Sequence, residues 1–399
     1  MSALRSAPAT PPAEEGTEVL VRATGALGRL TLNRPGSINA LTLEMVRQLQ
    51  VGLDRFEADP AIRVVLLDGA GERGLCAGGD IVALHDSVKA GTDDSRIFWT
   101  EEYALDARIA RFPKPVVSVL DGIVMGGGIG VAGHASHRLA TERLLSAMPE
   151  VGIGFAPDVG GTWLYSRGDG QLGTHLALTG ARLGARDAIV AGLADTVVAS
   201  SAIPALIEAL AAIGDGAQGS AGAIVDVPAD VEEAVEVTID VDHASAREAV
   251  DAAVAQAAQT PVDVPDGVLE DARAWIDEAY AHDSVEAIVA ALQARPEPAA
   301  GKAAEQILRA SPTSLKVTLR ALREAAALPD LETALQHELR ISCGFLRAGD
   351  FVEGVRAQVI DKDRQPQWRP ATLQEVDDDT VASFFAPLGE HDLDLPRSS

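Results

Sequence analysis

Two glycine-rich segments and two carboxyl groups have the spacing of residues that could do chemistry together. The segment 76–80 reads Cys-Ala-Gly-Gly-Asp, and the triplet 126–128 is all glycine and follows the apolar run Val116 to Leu120. Glu150 and Asp158 come next, each directly after a proline. Glycine lets backbone N–H groups approach a ligand closely, and an acid beside them can move a proton. This combination suits the stabilisation of an oxyanion, so it predicts acyl chemistry.

The elements that must position these residues alternate between strand and helix patterns. Residues 18–32 alternate around two glycines and predict a β-hairpin, and 41–56 carry apolar residues on one helical face. Val64 to Leu67 and Val116 to Leu120 are short apolar runs typical of buried strands. Further helices are predicted at 100–111, 128–135, 173–178 and 185–191. The pattern indicates an α/β domain with a buried sheet.

Changes in composition divide the chain into four parts. Residues 1–16 are rich in alanine and proline and predict a disordered tail, followed by the α/β core at 17–200. Residues 201–265 include Gly-rich and acidic text and are interpreted as an insertion or linker. Residues 266–399 predict a helical C-terminal region, with helices at 272–280, 285–292, 301–310, 315–325 and 331–347.

Charge and cysteine content exclude several classes of protein. The formal net charge of −26 argues against a nucleic-acid partner, which would demand a basic face. No run approaches the roughly 20 apolar residues of a membrane span, and the first 16 residues lack the apolar core of a signal peptide. Two cysteines fit a reducing compartment. These features predict a soluble, cytoplasmic protein.

Short sequence motifs spread along the chain resemble the crotonase (enoyl-CoA hydratase/isomerase) superfamily, and in particular its hydrolase branch. The matching segments are NRP at 33–35, NAL at 39–41, CAGGDI at 76–81, DGIVMGGGIG at 121–130, AMPE at 147–150, PDVGG at 157–161, LALTG at 176–180, SPTSLK at 311–316, DFVEGVRA at 350–357 and the text around Trp368. The AMPE and PDVGG segments together are specific for the hydrolase branch, whereas the glycine triplet alone is not.

The resemblance implies a fold and a reaction. The fold would be α/β, a crotonase-like spiral core followed by a helical C-terminal region. The reaction would be hydrolysis of a short β-hydroxyacyl-CoA thioester, with 3-hydroxyisobutyryl-CoA from valine breakdown as the implied substrate. Coenzyme A would be part of the substrate, so no separate cofactor and no metal are expected. The partner would be the acyl-CoA, with no nucleic acid or membrane, and a homo-oligomer is a further expectation.

The resemblance also assigns roles to residues. Gly79 and Gly127 would donate the two N–H groups of an oxyanion hole, and Glu150 and Asp158 would be the catalytic acids. The residues expected to contact the substrate are Glu102, Gly78, Asp80 and Gly126. Glu150 could activate water or attack the thioester itself, and Asp158 could bind the substrate hydroxyl, position water or share the base role. A charge on a helix surface remains the other interpretation of Glu102.

Position 130 separates the hydrolase from its alternative. Hydratases of this superfamily use two glutamates on one water, one at the position of Glu150 and one two residues past the glycine triplet. Here that second position is Gly130, and Asp158 supplies a carboxyl where hydratases usually carry a small residue. The alternatives are an enoyl-CoA hydratase or isomerase on the same fold, and a CoA-binding or scaffold protein without catalysis.

Three other patterns are weaker. Residues 128–133 satisfy the dinucleotide fingerprint G-x-G-x-x-G, but they follow more than 100 residues of structure instead of opening the first βαβ unit. His134 and His137 have a metal-ligand spacing without an evident third ligand. Cys76 lies beside the first glycine loop but has no evident histidine partner, so it is interpreted as a small buried residue.

Overall fold

A mixed six-stranded sheet forms the centre of the protein in the computed structural model, which describes residues 17–214 and 243–396. The strands are β1 (Val19–Thr24), β2 (Leu27–Leu32), β3 (Val64–Gly69), β4 (Val116–Leu120), β5 (Ile123–Met125), β6 (His137–Ala140), β7 (Leu145–Ala147) and β8 (Thr196–Val197). The sheet order is β1-β2-β3-β4-β6-β8, in which only the β1–β2 hairpin is antiparallel, and β5 and β7 form a small parallel sheet of their own.

Helices follow the strands and then dominate the second half of the chain. They are α1 (Leu43–Ala58), α2 (Ile81–Ala90), α3 (Asp94–Ala110), α4 (Gly127–Gly133), α5 (Gly161–Arg167), α6 (Leu172–Thr179), α7 (Ala185–Val190), α8 (Ile203–Ala211), α9 (His243–Ala257), α10 (Leu269–Ala279), α11 (Val285–Gln293), α12 (Pro298–Arg309), α13 (Pro312–Ala325), α14 (Leu331–Ala348), α15 (Asp350–Val355) and α16 (Asp378–Ser383). The predicted α/β class with C-terminal helices is confirmed. The short strands β5 to β8 and the helices α2, α5, α8, α9, α15 and α16 were not foreseen.

The C-terminal helices and the sheet share one hydrophobic core. Leu67 on β3 and Tyr103 on α3 belong to the same buried cluster as Leu339 and Phe345 on α14. Helix α14 packs along α3, and α15 packs against α2. The C-terminal region therefore belongs to the body that holds the site, and its removal would expose core surface of the α/β part.

The range 201–265, interpreted from the sequence as an insertion or linker, is described only at its two ends. Residues 215–242 lie outside the described residues, as does the predicted tail 1–16. The described ends form α8 and α9, whose Leu206, Leu210 and Val250 are buried against Val64 and Leu66 of the sheet. A linker does not fit these two ends, because they cover the second face of the sheet and keep its apolar residues from water. The sequence interpretation relied on the change in composition across this range and therefore overlooked the apolar faces of α8 and α9.

Candidate active site

Two glycine loops meet at one end of the sheet. Gly78 has φ +108° and Gly126 has φ +49°, a region that favours glycine. The first loop is fixed on both sides of Gly79 by hydrogen bonds to Leu41. The Leu41 N–H donates to the Gly78 carbonyl and the Asp80 N–H donates to the Leu41 carbonyl, both at 2.8 Å. The second loop ends in Gly127, the first residue of α4. Each loop thus presents a backbone that is held rigidly in place.

The N–H groups of Gly79 and Gly127 lie close together and have no acceptor among the described residues. A Cβ atom on Gly127 would lie 3.4 Å from the Gly79 nitrogen and 2.5 Å from Oε1 of Glu102. The Gly127 N–H also lies in the first turn of a helix, where backbone donors are unpaired and carry partial positive charge. Both glycines line a cavity of about 360 Å³, so the pair is arranged as an oxyanion hole requires.

Glu150 lies beside the second glycine loop. It begins the 3₁₀ turn Glu150–Ile153, and a Cβ atom on Gly126 would lie 3.0 Å from its Oε1. The side chain is buried, and Oε2 has no hydrogen-bond partner among the described residues. An unpaired buried oxygen costs folding free energy of about 1–3 kcal/mol. The cost is understandable if this oxygen serves a ligand in the adjoining cavity.

Asp158 is held in place by an unusual backbone. The next residue, Val159, has φ +54°, a conformation that typically costs a β-branched residue about 1–3 kcal/mol. The neutral His134 ring donates from Nε2 to the Val159 carbonyl at 2.8 Å, and burial lowers the pKa of this histidine to about 4. Glu338 on α14 accepts hydrogen bonds from the N–H groups of Gly160 at 2.6 Å and Thr162 at 2.9 Å. The strained turn is therefore fixed from two helices.

The Asp158 carboxyl itself is bound from α3. The Tyr103 hydroxyl donates to Oδ2 of Asp158 at 2.7 Å and lies 2.8 Å from Oγ of Ser342 on α14. Tyr103 and Ser342 are not among the cavity-lining residues, whereas Asp158 is. The sequence interpretation missed both of these partners. No local signal marks them, because they lie 55 and 239 residues from the groups they bind.

Burial and mutual repulsion change the ionisation of the carboxyl groups. Burial raises the pKa of Asp158 to about 7, against the hydrogen bond from Tyr103, which lowers it. The pKa of Glu150 is raised well above its ordinary value, first by burial and then by Asp158. Groups with pKa values near neutrality are suited to acid–base catalysis at physiological pH.

A row of carboxyl groups on α3 runs beside the glycines of α4. Glu102 and Asp106 are one helical turn apart, and they occupy the space where Cβ atoms on Gly127 and Gly130 would lie. Oε1 of Glu102 and both oxygens of Asp106 have no hydrogen-bond partner among the described residues. Burial, followed by the neighbouring carboxyls, raises both pKa values. Glu102 lines the cavity, which disfavours the surface-charge interpretation, and its i, i+4 spacing to Asp106 was the signal that sequence reasoning overlooked.

Aromatic side chains form the apolar wall of the cavity. Trp99 and Phe155 stack with ring centroids 5.1 Å apart, and Phe351 from α15 packs on Phe155 at 5.4 Å. The Phe98 ring lies against Gly79. Phe351 comes from the C-terminal region, so the cavity is complete only when both halves of the chain are folded. Such a wall suits an apolar group.

The weaker sequence patterns have structural explanations. Burial raises the pKa of Cys76 to about 12, so its thiol stays protonated and is a poor nucleophile. Nε2 of His137 lies at hydrogen-bond distance, 2.9 Å, from Oδ1 of Asp251. No cluster of three potential metal ligands occurs within 17–214 and 243–396. Residues 128–133 lie inside the buried helix α4, where a Cβ atom on Gly128 would be 2.6 Å from the Cys76 carbonyl, so these glycines serve close packing.

All eight predicted site residues line the same cavity: Gly78, Gly79, Asp80, Glu102, Gly126, Gly127, Glu150 and Asp158. Their individual roles remain predictions. Asp80 also has a structural role, since it caps α2 by accepting from the Ala83 N–H and forms an ion pair with Arg34. Among the described helices, none is long and apolar enough to cross a membrane.

Comparison with known proteins gives one family. Residues 27–385 match the family described as "Enoyl-CoA hydratase/isomerase". The chain is 38% identical to the protein named "3-hydroxyisobutyryl-CoA hydrolase, mitochondrial" of Gallus gallus, over 96% of this chain and 92% of the relative. The Homo sapiens protein of the same name is also 38% identical, over 94% and 90% of the two chains.

Two solved structures share the fold across nearly the whole chain. A carnitinyl-CoA dehydratase from Mycobacterium thermoresistibile is 46% identical with a TM-score of 0.82, covering 94% of this chain and 98% of the other. An enoyl-CoA hydratase from Rhodobacter sphaeroides 2.4.1 is 37% identical with a TM-score of 0.80, covering 95% and 100%. These structures confirm the predicted crotonase-type fold.

The prediction of a cytoplasmic location is overturned by the relatives. The curated relatives named above are the mitochondrial forms of their enzyme. The prediction rested on a low cysteine count and on the lack of an apolar signal segment. Neither feature distinguishes the cytoplasm from another reducing compartment.

Proposed function

Because this chain belongs to the enoyl-CoA hydratase/isomerase family, we propose that it is an acyl-CoA thioester hydrolase that converts 3-hydroxyisobutyryl-CoA to 3-hydroxyisobutyrate and coenzyme A. One observation carries the proposal. Glu150 and Asp158 are both buried in the cavity that holds the paired glycine N–H groups. The full-length similarity to curated hydrolases supports the same reaction. The reaction would be a step in the breakdown of valine.

The names of the two solved structures point to hydration chemistry, so the choice between reactions depends on the site. Double-bond hydration in this superfamily uses a second glutamate at the position of Gly130. In this protein a Cβ atom on Gly130 would lie 2.6 Å from Cβ of Val159 and 2.9 Å from Oδ2 of Asp106. A glutamate could not be accommodated without moving both neighbours. The site therefore favours hydrolysis over hydration.

In the proposed mechanism, the thioester oxygen is bound by the N–H groups of Gly79 and Gly127. Preorganised donors of this kind typically contribute about 3–4 kcal/mol of transition-state stabilisation each. The unpartnered Oε2 of Glu150 then attacks the carbonyl carbon to give an anhydride, or takes a proton from an attacking water. In the anhydride route, the C–S bond breaks as the anhydride forms, and a water molecule then hydrolyses the anhydride, which releases the hydroxy acid, restores Glu150 and supplies the proton of the coenzyme A thiol. In the water route, the proton that Glu150 takes from water passes to the departing thiolate as the C–S bond breaks.

Asp158 would bind the β-hydroxyl of the acyl group or position the water. Its Oδ2 is occupied by Tyr103, which leaves Oδ1 for the cavity. We propose that no separate cofactor is needed, because two fixed N–H donors and two carboxyl groups supply everything that hydrolysis of an activated thioester demands. The aromatic wall would hold the branched acyl carbon atoms. Self-association remains a prediction, which light scattering of the purified protein would test.

The experiment that tests the function offers two substrates to one enzyme. With 3-hydroxyisobutyryl-CoA, we expect release of free thiol; with crotonyl-CoA, we expect loss of the enoyl absorbance to be slower by about 10² or more, since one of two acid–base groups is missing. Cys76 and Cys343 are buried, so a thiol reagent should report mainly coenzyme A. Efficient hydration without thiol release would favour the hydratase alternative, and binding without either reaction would favour the scaffold alternative.

A further inference from the structure

A chain of two hydroxyl groups lies behind Asp158, on the side away from the cavity. Oγ of Ser342 is 2.8 Å from the Tyr103 hydroxyl oxygen, and that hydroxyl is 2.7 Å from Oδ2 of Asp158. Tyr103 is 0% exposed and Ser342 is 1% exposed. Neither residue lines the cavity, so neither can touch a substrate there. Any influence of these hydroxyls on the reaction must pass through Asp158.

The ionisation of Asp158 fixes the direction of this chain. An ionised carboxylate only accepts hydrogen bonds, so the single proton of the Tyr103 hydroxyl must point to Oδ2. The proton of Ser342 must then point to the Tyr103 oxygen. Burial and the nearby carboxyls Asp158 and Glu338 raise the pKa of Tyr103 well above its ordinary value, so the tyrosine keeps its proton. A hydrogen bond to the charged form of an acid favours that form.

We propose that Tyr103 and Ser342 are positioning residues that keep Asp158 ionised and turn its Oδ1 into the cavity, and so set the pH range in which the enzyme works. This inference rests on the proposed hydrolase function for its kinetic part only. The orientation follows from geometry, because a carboxyl group pinned through one oxygen presents the other on the opposite edge. The charge state follows from the balance of groups around it.

Carboxyl groups face Asp158 from three separate elements. They are Glu102 and Asp106 on α3, Glu150 on the 3₁₀ turn, and Glu338 on α14. His134 contacts the same turn but is neutral near pH 7, since burial lowers its pKa to about 4. Burial and then Asp158 raise the pKa of each of these acids, whereas the pKa of Asp158 is itself raised by burial, and the Tyr103 hydroxyl and the backbone of the loop act to keep its carboxylate charged. The Tyr103 hydroxyl can be removed by substitution with phenylalanine, which keeps the ring in place.

Replacing Tyr103 by phenylalanine should raise the pKa of Asp158 above about 7. The expected displacement is about one pH unit, the size typical of one lost hydrogen bond to a charged group. The acidic limb of kcat/KM should move to higher pH by the same amount, and activity should recover as the pH is raised. A defect of folding or packing would instead lower activity by a similar factor at every pH.

Tyr280 provides the matched control. It is also 0% exposed, and its hydroxyl also lies in a hydrogen bond, 2.9 Å from Nδ1 of His175, but it does not line the cavity or contact Asp158. Tyr280→Phe therefore removes the same group from a similar environment. We expect this variant to keep the wild-type pH profile even if its unfolding midpoint falls.

The closing experiment titrates Asp158 directly, by NMR of protein carrying ¹³C-labelled aspartate carboxyls, with Asp158→Asn to assign the signal. We expect an upward shift of the titration midpoint in Tyr103→Phe, a smaller upward shift in Ser342→Ala and none in Tyr280→Phe. The serine variant keeps the test valid if Tyr103→Phe does not fold. Unchanged midpoints in both site variants, or an equal shift in Tyr280→Phe, would overturn the inference. Shifted midpoints in a protein that cleaves no hydroxyacyl-CoA would reject the proposed function while supporting the role of Tyr103.

Discussion

The two halves of the cavity are built on different principles. One half consists of main-chain N–H groups, from Gly79 and Gly127, held by backbone hydrogen bonds and by the start of a helix. The other half consists of side-chain carboxyls whose partners come from distant segments, such as Asp158 bound by Tyr103 and the loop after it bound by Glu338. The first half has no ionisable group, whereas in the second half burial and then Asp158 raise the pKa of Glu102, Asp106 and Glu150.

This difference implies that the two halves fail in different ways. A change in the backbone half should act by steric exclusion and be independent of pH, because a main-chain N–H does not titrate. A change in the carboxyl half should shift pH dependence, because removal of one buried acid alters the pKa of its neighbours. Substitutions in each half can separate these two behaviours.

The largest effect is expected for Gly127→Val. The added Cβ would lie 2.5 Å from Oε1 of Glu102 and 3.4 Å from the Gly79 nitrogen, so it would fill the oxyanion hole. Thioester turnover should fall below detection at every pH, while circular dichroism stays like that of the wild type. Gly301→Val in α12 is the control, because a Cβ there meets nothing within 4 Å. A folded and active Gly127→Val enzyme would show that the hole lies elsewhere.

Removing a catalytic acid should have the next largest effect. Glu150→Gln and Asp158→Asn should each reduce thioester turnover by at least about 10², the loss typical of a positioned acid–base group. Binding of coenzyme A, measured by calorimetry, should change little, since the proposed mechanism places the acyl group, and not coenzyme A, beside the two acids. Glu305→Gln on the surface of α12 is the control. Turnover close to that of the wild type in either site variant contradicts the assignment.

A smaller effect is expected where the two halves touch, at Gly130. Gly130→Glu would force a side chain toward Val159 and would add a charge beside Asp106. We expect thioester hydrolysis to fall about tenfold or more, as overpacking displaces the turn that carries Asp158. We expect no substantial gain in crotonyl-CoA hydration, followed by absorbance. Efficient hydration by the variant would contradict this expectation, because it would show that the cavity can accommodate a glutamate side chain at position 130.

The smallest effect concerns the stability of the carboxyl half. Burial raises the pKa of Glu338 to about 8, against hydrogen bonds from Thr162 and Gly160 that lower it. An acid whose pKa is raised on folding stabilises the protein fully below its unfolded-state pKa, near 4.3, and this stability is lost as the pH rises through 8. Glu338→Gln removes this dependence. Its free energy of unfolding in urea should therefore fall less steeply than that of the wild type between pH 5 and pH 8.

The control for this measurement is Glu305→Gln, whose curve should run parallel to that of the wild type, because Glu305 is exposed. Parallel curves for Glu338→Gln as well would show that Glu338 takes up no extra proton on folding.

The backbone half was largely predictable from the sequence, and the carboxyl half only in part. The glycine loops are short, continuous sequence motifs, so Gly79 and Gly127 could be identified together with the strands that precede them. Tyr103 and Ser342 could not, because their partnership joins residues 239 apart and depends on how α14 packs on α3. Sequence periodicity shows that a helix has a buried face, but it does not show which buried neighbour a hydroxyl will meet.

The same contrast appears in the fold. The hairpin and the helices at 43–58 and 331–348 were predicted within a few residues, since their apolar periodicity is long and regular. The strands Ile123–Met125 and Leu145–Ala147 have three residues each and are recognised only by their pairing with one another. Helices α8 and α9 were interpreted as part of an insertion: α9 is alanine-rich with few large apolar residues and gives a weak amphipathic signal, whereas the apolar face of α8 was overlooked because the composition changes directly after it.

Main-chain donors would make the proposed oxyanion hole insensitive to most point mutations, which bears on how such a family diversifies. If Gly79 and Gly127 bind the thioester as proposed, a duplicated gene would keep these N–H groups as long as both glycines are retained. Members of such a family could then differ in where their acids lie, as this chain does with Gly130 and Asp158, while each still binds its substrate. New reactions could arise on this scaffold by a change in the position of one carboxyl group, because the intermediate proteins would still bind their substrate.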